Sequence, residues 1–300
     1  MNSKIIDEKV KIEIQKRPFL PIFINGEGPC KFLLDTGDVS CTVSPEVAQK
    51  LQLKREDVPN KEAYVSVVEF SIGRAKWRNV IYVDDCSRVS NLIGTQMDGL
   101  IGHLFLKGLK VTINYPEETV VVETSKALEE TQNLLPQEIV ELHIQELRDL
   151  MNKKQHFPTY QGEKQEKLIK QIDIHKVKLQ IKDRLPVVPV FVNGEGPYQF
   201  ILDTGASVCV VSPELSQTLG LEYGKSGVSR GISDEKAYNT SYVKTLAVGA
   251  VQCTDLEVIV MDCSHISERV ETQVDGYLGY GFLKEFSVTI NYPEQTLTLE

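Results

Sequence analysis

Two copies of an Asp-Thr-Gly tripeptide are the residues of this sequence best suited to chemistry. They begin at Asp35 and Asp203, and each follows a run of apolar residues. A carboxylate at the end of a buried strand is a costly place for a charge. If the two copies met around a two-fold axis, their carboxyls would share one proton, which places a general base beside a general acid. Such a pair can activate water and protonate a leaving group in one site.

Other duplicated or reactive residues have simpler interpretations. Asp98 and Asp275 are also duplicated, but Asp-Gly is a common turn dipeptide, so a turn role is favoured for both. The alternative for Asp35 and Asp203 is likewise a turn-capping role at the end of a strand. The six cysteines and five histidines form no C-x-x-C pair and no metal-ligand spacing, so neither a metal site nor a thiol nucleophile is expected.

The segments that position these carboxylates are themselves duplicated. Residues 21–53 and 189–221 are identical at 20 of 33 positions, and residues 97–123 and 274–300 are identical at 15 of 27 positions. Two copies at so long a spacing indicate a duplicated domain and not a solenoid of short repeats.

Each copy is expected to be mainly β. Apolar runs on either side of an Asn-Gly pair, at Asn25 and Asn193, predict a β-hairpin in each copy. Ser-Pro pairs at Ser44 and Ser212 predict short helices, with serine as the N-cap and proline at the first helical position. Each copy closes with a predicted strand, an Asn-Tyr-Pro turn and a second strand.

The sequence resembles the retropepsin-like aspartic peptidases, which carry one Asp-Thr/Ser-Gly per lobe. The resemblance covers roughly residues 10–123 and 177–300, and both copies also carry an apolar-apolar-Gly motif, which ends at Gly102 and Gly279. The Phe-Leu-Lys and Asn-Tyr-Pro segments that follow are similar to those of the bacterial branch of this family.

The resemblance implies a mainly β chain, with two retropepsin-like closed β lobes forming a pseudo-two-fold pair joined by a helical spacer. The expected domains are a first lobe over 1–123, a helical linker over 124–176 and a second lobe over 177–300. The linker residues are polar, carry two apolar stripes and have a helix start at Pro136. We expect them to pack on the β units rather than form a separate partner-binding module, with a second helix over 163–174.

The resemblance also assigns Asp35 and Asp203 as the catalytic pair. It implies that the two threonines cross-brace the loops by hydrogen bonds and that the glycines allow the backbone to approach the substrate closely. The active-site loops would contain Thr36, Gly37, Asp38, Thr204, Gly205 and Ala206. Water is the nucleophile in this family, so no metal or organic cofactor is expected.

Two departures from the family pattern distinguish the copies. Asp38 stands where the second copy has Ala206, the more usual residue. A third carboxylate is expected to raise the apparent pKa of the pair, unless Asp38 bonds its own turn. The middle segment, which holds the flap hairpin in the family, is longer in the second copy. We expect a flap over residues 222–242 and only a stub over residues 55–68.

The favoured hypothesis is a single-chain aspartic endopeptidase, a hydrolase that holds an extended peptide or protein substrate as an added strand. The alternatives are a catalytically weak or inactive peptide-binding module on the same fold, and an enzyme formed only as a homodimer. The net charge of -9 argues against a nucleic-acid or anionic-membrane partner. Without a secretory signal, a run of ~18 apolar residues or many cysteines, a reducing cytoplasm is expected. Pairing of the two copies within one chain implies a monomer.

Overall fold

The computed structural model describes residues 8–56, 65–153, 176–230 and 235–300. The first repeat consists of short strands and small helices. Its strands are β1 (Val10–Lys11), β2 (Glu13–Ile14), β3 (Pro18–Ile24), β4 (Glu27–Leu34), β5 (Cys41–Val43), β6 (Val65–Ile72), β7 (Ala75–Val83), β8 (Gly99–Ile101), β9 (Leu109–Asn114) and β10 (Thr119–Thr124). Its helices are α1 (Pro45–Lys50), α2 (Ser87–Ile93) and α3 (His103–Leu106).

The spacer and the second repeat follow in the same way. The spacer contains α4 (Lys126–Glu130), a 3-10 turn (Thr131–Asn133) and α5 (Pro136–Lys153). The strands of the second repeat are β11 (Lys176–Lys178), β12 (Gln180–Lys182), β13 (Leu185–Val192), β14 (Glu195–Leu202), β15 (Cys209–Val211), β16 (Ser226–Arg230), β17 (Glu235–Val248), β18 (Val251–Val260), β19 (Gly276–Leu278), β20 (Ser287–Asn291) and β21 (Thr296–Leu299). Its helices are α6 (Pro213–Thr218), α7 (Ser264–Arg269) and α8 (Tyr280–Leu283).

The repeats begin their helices as the sequence predicts. The Ser44 side chain accepts a hydrogen bond from the amide of Val47 at 3.3 Å, and Ser212 accepts one from the amide of Leu215 at 3.1 Å. In each helix the residue after this serine is proline. The serine therefore satisfies one amide that the first turn of the helix leaves unpaired.

Each repeat folds its strands into a closed lobe. The first lobe has the strand order β2-β3-β4-β8-β5-β7-β6, and an additional pairing between β3 and β6 closes it. The second lobe has the order β12-β13-β14-β19-β15-β18-β17-β16 and is closed by β13 and β17. This confirms the predicted mainly β fold with two closed lobes and a helical spacer.

A third sheet joins the two repeats, which the sequence did not predict. Its order is β1-β10-β9-β20-β21-β11, so three strands come from each repeat and β9 pairs with β20 at the centre. The equivalent residues Thr112 and Thr289 face each other there, with their hydroxyls 2.8 Å apart. The pseudo-two-fold axis therefore passes between these two threonines.

The spacer lies on the outer face of the first lobe, on β6 and β7. Ile139 and Val140 of α5 are buried, and Ile139 packs with Val65 and Val80. The described part of the spacer therefore packs on a β unit, as expected. The second helix expected over 163–174 lies outside the described residues. No helix in the described ranges is long and apolar enough to cross a membrane.

Candidate active site

Asp35 and Asp203 lie directly after the central strands β4 and β14. In each lobe the strand that carries the apolar-apolar-Gly motif pairs in parallel with this strand, β8 with β4 and β19 with β14. The amide of Asp35 donates to Ile101 O at 3.0 Å, and that of Asp203 donates to Leu278 O at 3.0 Å. The chain is therefore held in register up to the carboxylates.

The glycine of the apolar-apolar-Gly motif is required by close packing behind the loop. A Cβ at Gly102 would overlap Asp38 O, and a Cβ at Gly279 would overlap Val208 O. The amide of Gly102 also donates to Ser40 O at 2.7 Å. Any larger residue would push the loop away from the strand behind it.

Thr36 and Thr204 connect the two loops through four hydrogen bonds. Thr36 Oγ1 donates to Leu202 O at 2.6 Å, and Thr204 Oγ1 donates to Leu34 O at 2.8 Å. The amide of Thr204 donates to Thr36 Oγ1 at 3.0 Å, and the amide of Thr36 donates to Thr204 Oγ1 at 3.1 Å. Both threonines are fully buried, and through these bonds each lobe fixes the position of the other lobe's loop.

The glycines of the triads bring the two carboxyls together. A Cβ at Gly37 would lie 2.7 Å from Cγ of Asp203, and one at Gly205 would lie closer still to Cγ of Asp35. Each aspartate thus packs against the glycine of the opposite triad. Only glycine leaves room for this approach, which places both carboxyls at one point between the lobes.

The two carboxyls receive different hydrogen bonds. Asp35 Oδ1 accepts one from the amide of Gly37 at 2.9 Å. Asp203 Oδ1 accepts two, from the amides of Gly205 and Ala206, each at 2.9 Å. Amide donors stabilise an ionised carboxylate, so the second lobe favours the anion more than the first does.

The pKa values follow the same asymmetry. Burial raises the pKa of Asp35 well above its ordinary value, and the charges of Asp203 and Asp38 raise it further. Burial also raises the pKa of Asp203, but two backbone amides, a hydrogen bond from Asp35 and the charge of Arg17 lower it. The hydrogen bonds and charges around the pair therefore favour a proton on Asp35 and the negative charge on Asp203.

Arg17 also belongs to this site, although it is not among the site residues predicted from the sequence. The Arg17 guanidinium lies beside the loop of the opposite lobe, and its Nε donates to Gly205 O at 2.6 Å. Burial lowers the pKa of Arg17, and the charges of Asp35 and Asp203 oppose this effect. The second repeat has Leu185 at the aligned position. The sequence offered only a weak signal, because Arg184 of the second repeat stands one residue before the aligned position.

Asp38 lies in the loop after the first triad, with its carboxylate bonded to its own turn. Asp38 Oδ1 accepts hydrogen bonds from the amide of Ser40 at 2.6 Å and from its hydroxyl at 2.5 Å. This is the local bonding that the sequence analysis gave as the alternative. The charge of Asp38 nevertheless raises the pKa of Asp35, so the carboxylate is electrostatically coupled to the pair.

The other duplicated aspartates bind backbone amides. Asp98 accepts a hydrogen bond from the amide of Lys31 at 2.7 Å, and Asp275 accepts one from the amide of Gln199 at 2.8 Å. These bonds connect the residue before β8 to β4 and the residue before β19 to β14. Their role is structural, but it is a connection between strands and not the turn favoured from the sequence.

A hairpin of β16 and β17 extends the second lobe where a flap was expected. Its ladder pairs Gly227 with Tyr238, and a Cβ at Gly227 would lie 2.6 Å from the tyrosine ring. Residues 231–234 of the expected flap lie outside the described ranges. In the first repeat, Glu56 forms a bridge with Val65, and residues 57–64 of the expected stub are likewise not described.

The cysteines and the remaining acidic residues form no second reactive centre in the described ranges. All six cysteines are free thiols, and burial raises the pKa of each of them. Among the described residues, no group of three or more His, Cys, Asp or Glu side chains could hold a metal ion.

Comparisons with known proteins identify a family and a similar solved structure. The sequence model of the aspartyl protease family matches residues 20–105 and 188–282, one match in each repeat. Among solved structures, a retropepsin-like aspartic protease from Rickettsia conorii is similar, with 20% sequence identity and a TM-score of 0.30. The match covers 41% of this chain and 94% of that chain. A comparison with curated proteins found no match.

Proposed function

Because the chain belongs to the aspartyl protease family, we propose that it is an aspartic endopeptidase that cleaves peptide bonds with water activated between Asp35 and Asp203. The observation that carries this proposal is the contact of each triad's glycine with the other triad's aspartate. This contact holds two carboxyls side by side, and a pair that shares one proton offers an acid and a base at the same place.

In the proposed reaction the two carboxyls have different roles. Asp203, the more readily ionised group, takes a proton from water while the water oxygen bonds to the carbonyl carbon of the substrate. Asp35 gives its proton to the carbonyl oxygen. The C–N bond then breaks as Asp203 passes its proton to the nitrogen, and Asp35 recovers a proton from a hydroxyl of the intermediate. The pair returns to its starting state with one proton.

We expect the substrate to be an extended peptide or protein segment between the lobes. The hairpin of β16 and β17 would cover it from the second lobe, and backbone hydrogen bonds would hold it as an added strand. Side-chain pockets on either side would then select the sequence that is cleaved.

We also propose that one chain is the active unit. The pairing of β9 with β20 and the four threonine hydrogen bonds support an intramolecular pseudo-dimer. In this proposal residues 1–123 and 177–300 are the two lobes and residues 124–176 are the linker, with the end strands of each lobe contributing to the shared sheet.

Cleavage of a diverse peptide pool tests the proposed function. We expect the wild type to cleave peptides, and we expect Asp35→Asn and Asp203→Asn each to lower kcat/KM by about 10² to 10⁴-fold, because neither remaining carboxyl can serve as both acid and base. Glu195→Gln, at an exposed hairpin of the second lobe, is the control and should retain full activity.

Two outcomes would contradict the proposal. Full turnover by either aspartate variant would show that the pair is not the catalytic centre. Peptides that bind the wild type without being cleaved would instead support the peptide-binding module on the same fold.

A further inference from the structure

The two lobes differ in what covers one of their outer faces. In the first lobe the spacer covers β7. Thr131 Oγ1 donates to Arg78 O at 3.1 Å and accepts from the amide of Arg78 at 3.2 Å. Further along the spacer, Ile139 packs on Val65 and Val80. The spacer thus closes this face of the first lobe with both polar and apolar contacts.

The strand registers identify the same face in the second lobe. β5 pairs in parallel with β7, and β15 pairs in parallel with β18. In the neighbouring hairpins Val67 pairs with Val80, and Tyr242 pairs with Glu257. Residues 252–259 of β18 therefore take the place of the part of β7 that the spacer covers.

This face of the second lobe is an open groove of about 710 Å³. Its apolar lining includes Val208, Leu256, Tyr280 and Phe286. Its charged lining consists of Asp255, Glu257, Glu285, Lys16 and Lys284. No described residue of the spacer lies among the residues that line it. We call this site the outer groove.

Acidic residues stand in the outer groove where the first lobe contacts its spacer. Glu257 takes the place of Val80, and Glu285 takes the place of Gly108 at the repeat spacing of 177. A Cβ at Gly108 would lie only 3.1 Å from Leu128 of the spacer. A helix with an apolar face like that of the spacer would bury these two acids, which is costly. Glu285 forms an ion pair with Lys284 at 3.6 Å, so Asp255 and Glu257 are the acids that suit the outer groove to an occupant with basic side chains.

The outer groove begins beside the catalytic loop. Ser207 and Val208, which line it, follow the second triad directly in the chain. Lys16, which also lines it, precedes the Arg17 that bonds Gly205 O. A chain that leaves the cleft on the side of the second lobe would therefore enter this groove. On the first-lobe side, the spacer occupies the equivalent face.

We propose that the outer groove binds a basic segment of the polypeptide substrate that lies outside the cleft, on one side of the scissile bond only. This inference rests on the proposed endopeptidase function. Residues 252–259 would run for about 26 Å at ~3.3 Å per residue, so a segment of about eight residues fits along them. The enzyme would then contact a longer stretch of the substrate on one side of the scissile bond than on the other.

The test uses an octapeptide from the pool that the wild type cleaves. The same octapeptide is extended by eight residues that contain two lysines, either at its amino end or at its carboxyl end. We expect one extension, and not the other, to raise kcat/KM by roughly tenfold, chiefly through a lower KM. Glu257→Lys should remove this gain and leave the kcat/KM of the octapeptide within about twofold.

The controls separate this inference from the proposed function. Glu195→Lys changes the charge of the same lobe equally, but away from the outer groove, and should retain the gain. Equal gains at both ends, no gain at either end, or a gain that survives Glu257→Lys would overturn the inference. If the wild type cleaves no peptide of the pool, the proposed function fails, and any octapeptide of the pool can be extended and labelled instead. Fluorescence anisotropy of the labelled peptides then tests the outer groove separately. The inference requires that one extended peptide, and not the other, binds more tightly than the octapeptide.

Discussion

At the residue scale, Asp35 and Asp203 differ through their neighbours. Asp203 has two amide donors and the charge of Arg17 nearby, whereas Asp35 has one amide donor and the charge of Asp38. Arg17 and Asp38 act in the same direction, because each favours a proton on Asp35 rather than on Asp203. The two duplicated triads therefore have asymmetric surroundings.

Arg17→Leu, which copies Leu185 into the first repeat, should shift the acidic side of the pH profile. Arg17 lowers the pKa of Asp203, so its removal raises that pKa. Because the base must be ionised, the acidic limb of kcat/KM should move to higher pH when it is measured from about pH 3 to 8. Arg17→Lys keeps the charge and should leave the limb in place. An unmoved limb in Arg17→Leu would mean that Arg17 only positions the loop.

Asp38→Ala, which copies Ala206 into the first repeat, should shift the alkaline side of the pH profile. The charge of Asp38 raises the pKa of Asp35, so its removal lowers that pKa. Because the acid must be protonated, the alkaline limb of kcat/KM should move to lower pH. Asp38→Asn keeps an acceptor for Ser40 without the charge and should give the same shift. A shift in Asp38→Ala alone would assign the effect to the turn and not to the charge.

At the scale of elements, α5 is part of the first lobe's packing as well as a connection. Its residues Ile139, Val140 and His143 are buried, and the Tyr82 hydroxyl lies 2.7 Å from His143 Nε2. The same helix exposes Leu142, of which 58% is accessible to solvent. The sequence predicts two apolar stripes on this helix, and the structure buries Ile139 of one and Val140 of the other while it exposes Leu142.

Ile139→Ala should therefore destabilise the protein, while Leu142→Ala should not. Ile139 is 4% exposed between Val65 and Val80, so truncation leaves a cavity. We expect the free energy of unfolding to fall by about 2–5 kcal/mol for Ile139→Ala and to change by less than about 0.5 kcal/mol for Leu142→Ala. Urea unfolding of both variants measures the difference, and equal losses would contradict the packing described for α5.

At the scale of the whole molecule, the shared sheet uses the surface through which a second copy would pair. β9 and β20 occupy its centre, and its edge strands β1 and β11 carry Lys11, Lys176 and Lys178. Lysines on an edge strand oppose the addition of further strands. We expect light scattering at assay concentration to give the mass of one chain, 33.7 kDa. Twice this mass, with activity lost on dilution, would support the homodimer instead.

The amino-acid sequence by itself determined the features that depend on local pattern and on the duplication. The Asn-Gly hairpins and the Ser-Pro helix starts follow from residues near one another in the chain. The duplicated motifs carry the resemblance to the family, and the two closed lobes are what that resemblance implies. The pairing of the two Asp-Thr-Gly segments could be expected from the duplication, because equivalent segments meet naturally around a two-fold axis.

Only the tertiary structure decided which surfaces of the two repeats meet and where they stop being equivalent. The pairing of β9 with β20, the reach of Arg17 to Gly205, and the coverage of one lobe by the spacer each join residues far apart in the chain. Such contacts depend on register and on the direction of side chains, which a local pattern does not contain. For this reason the asymmetry of the site arises from individual residues, such as Arg17 and Asp38, which the fold places beside two duplicated triads.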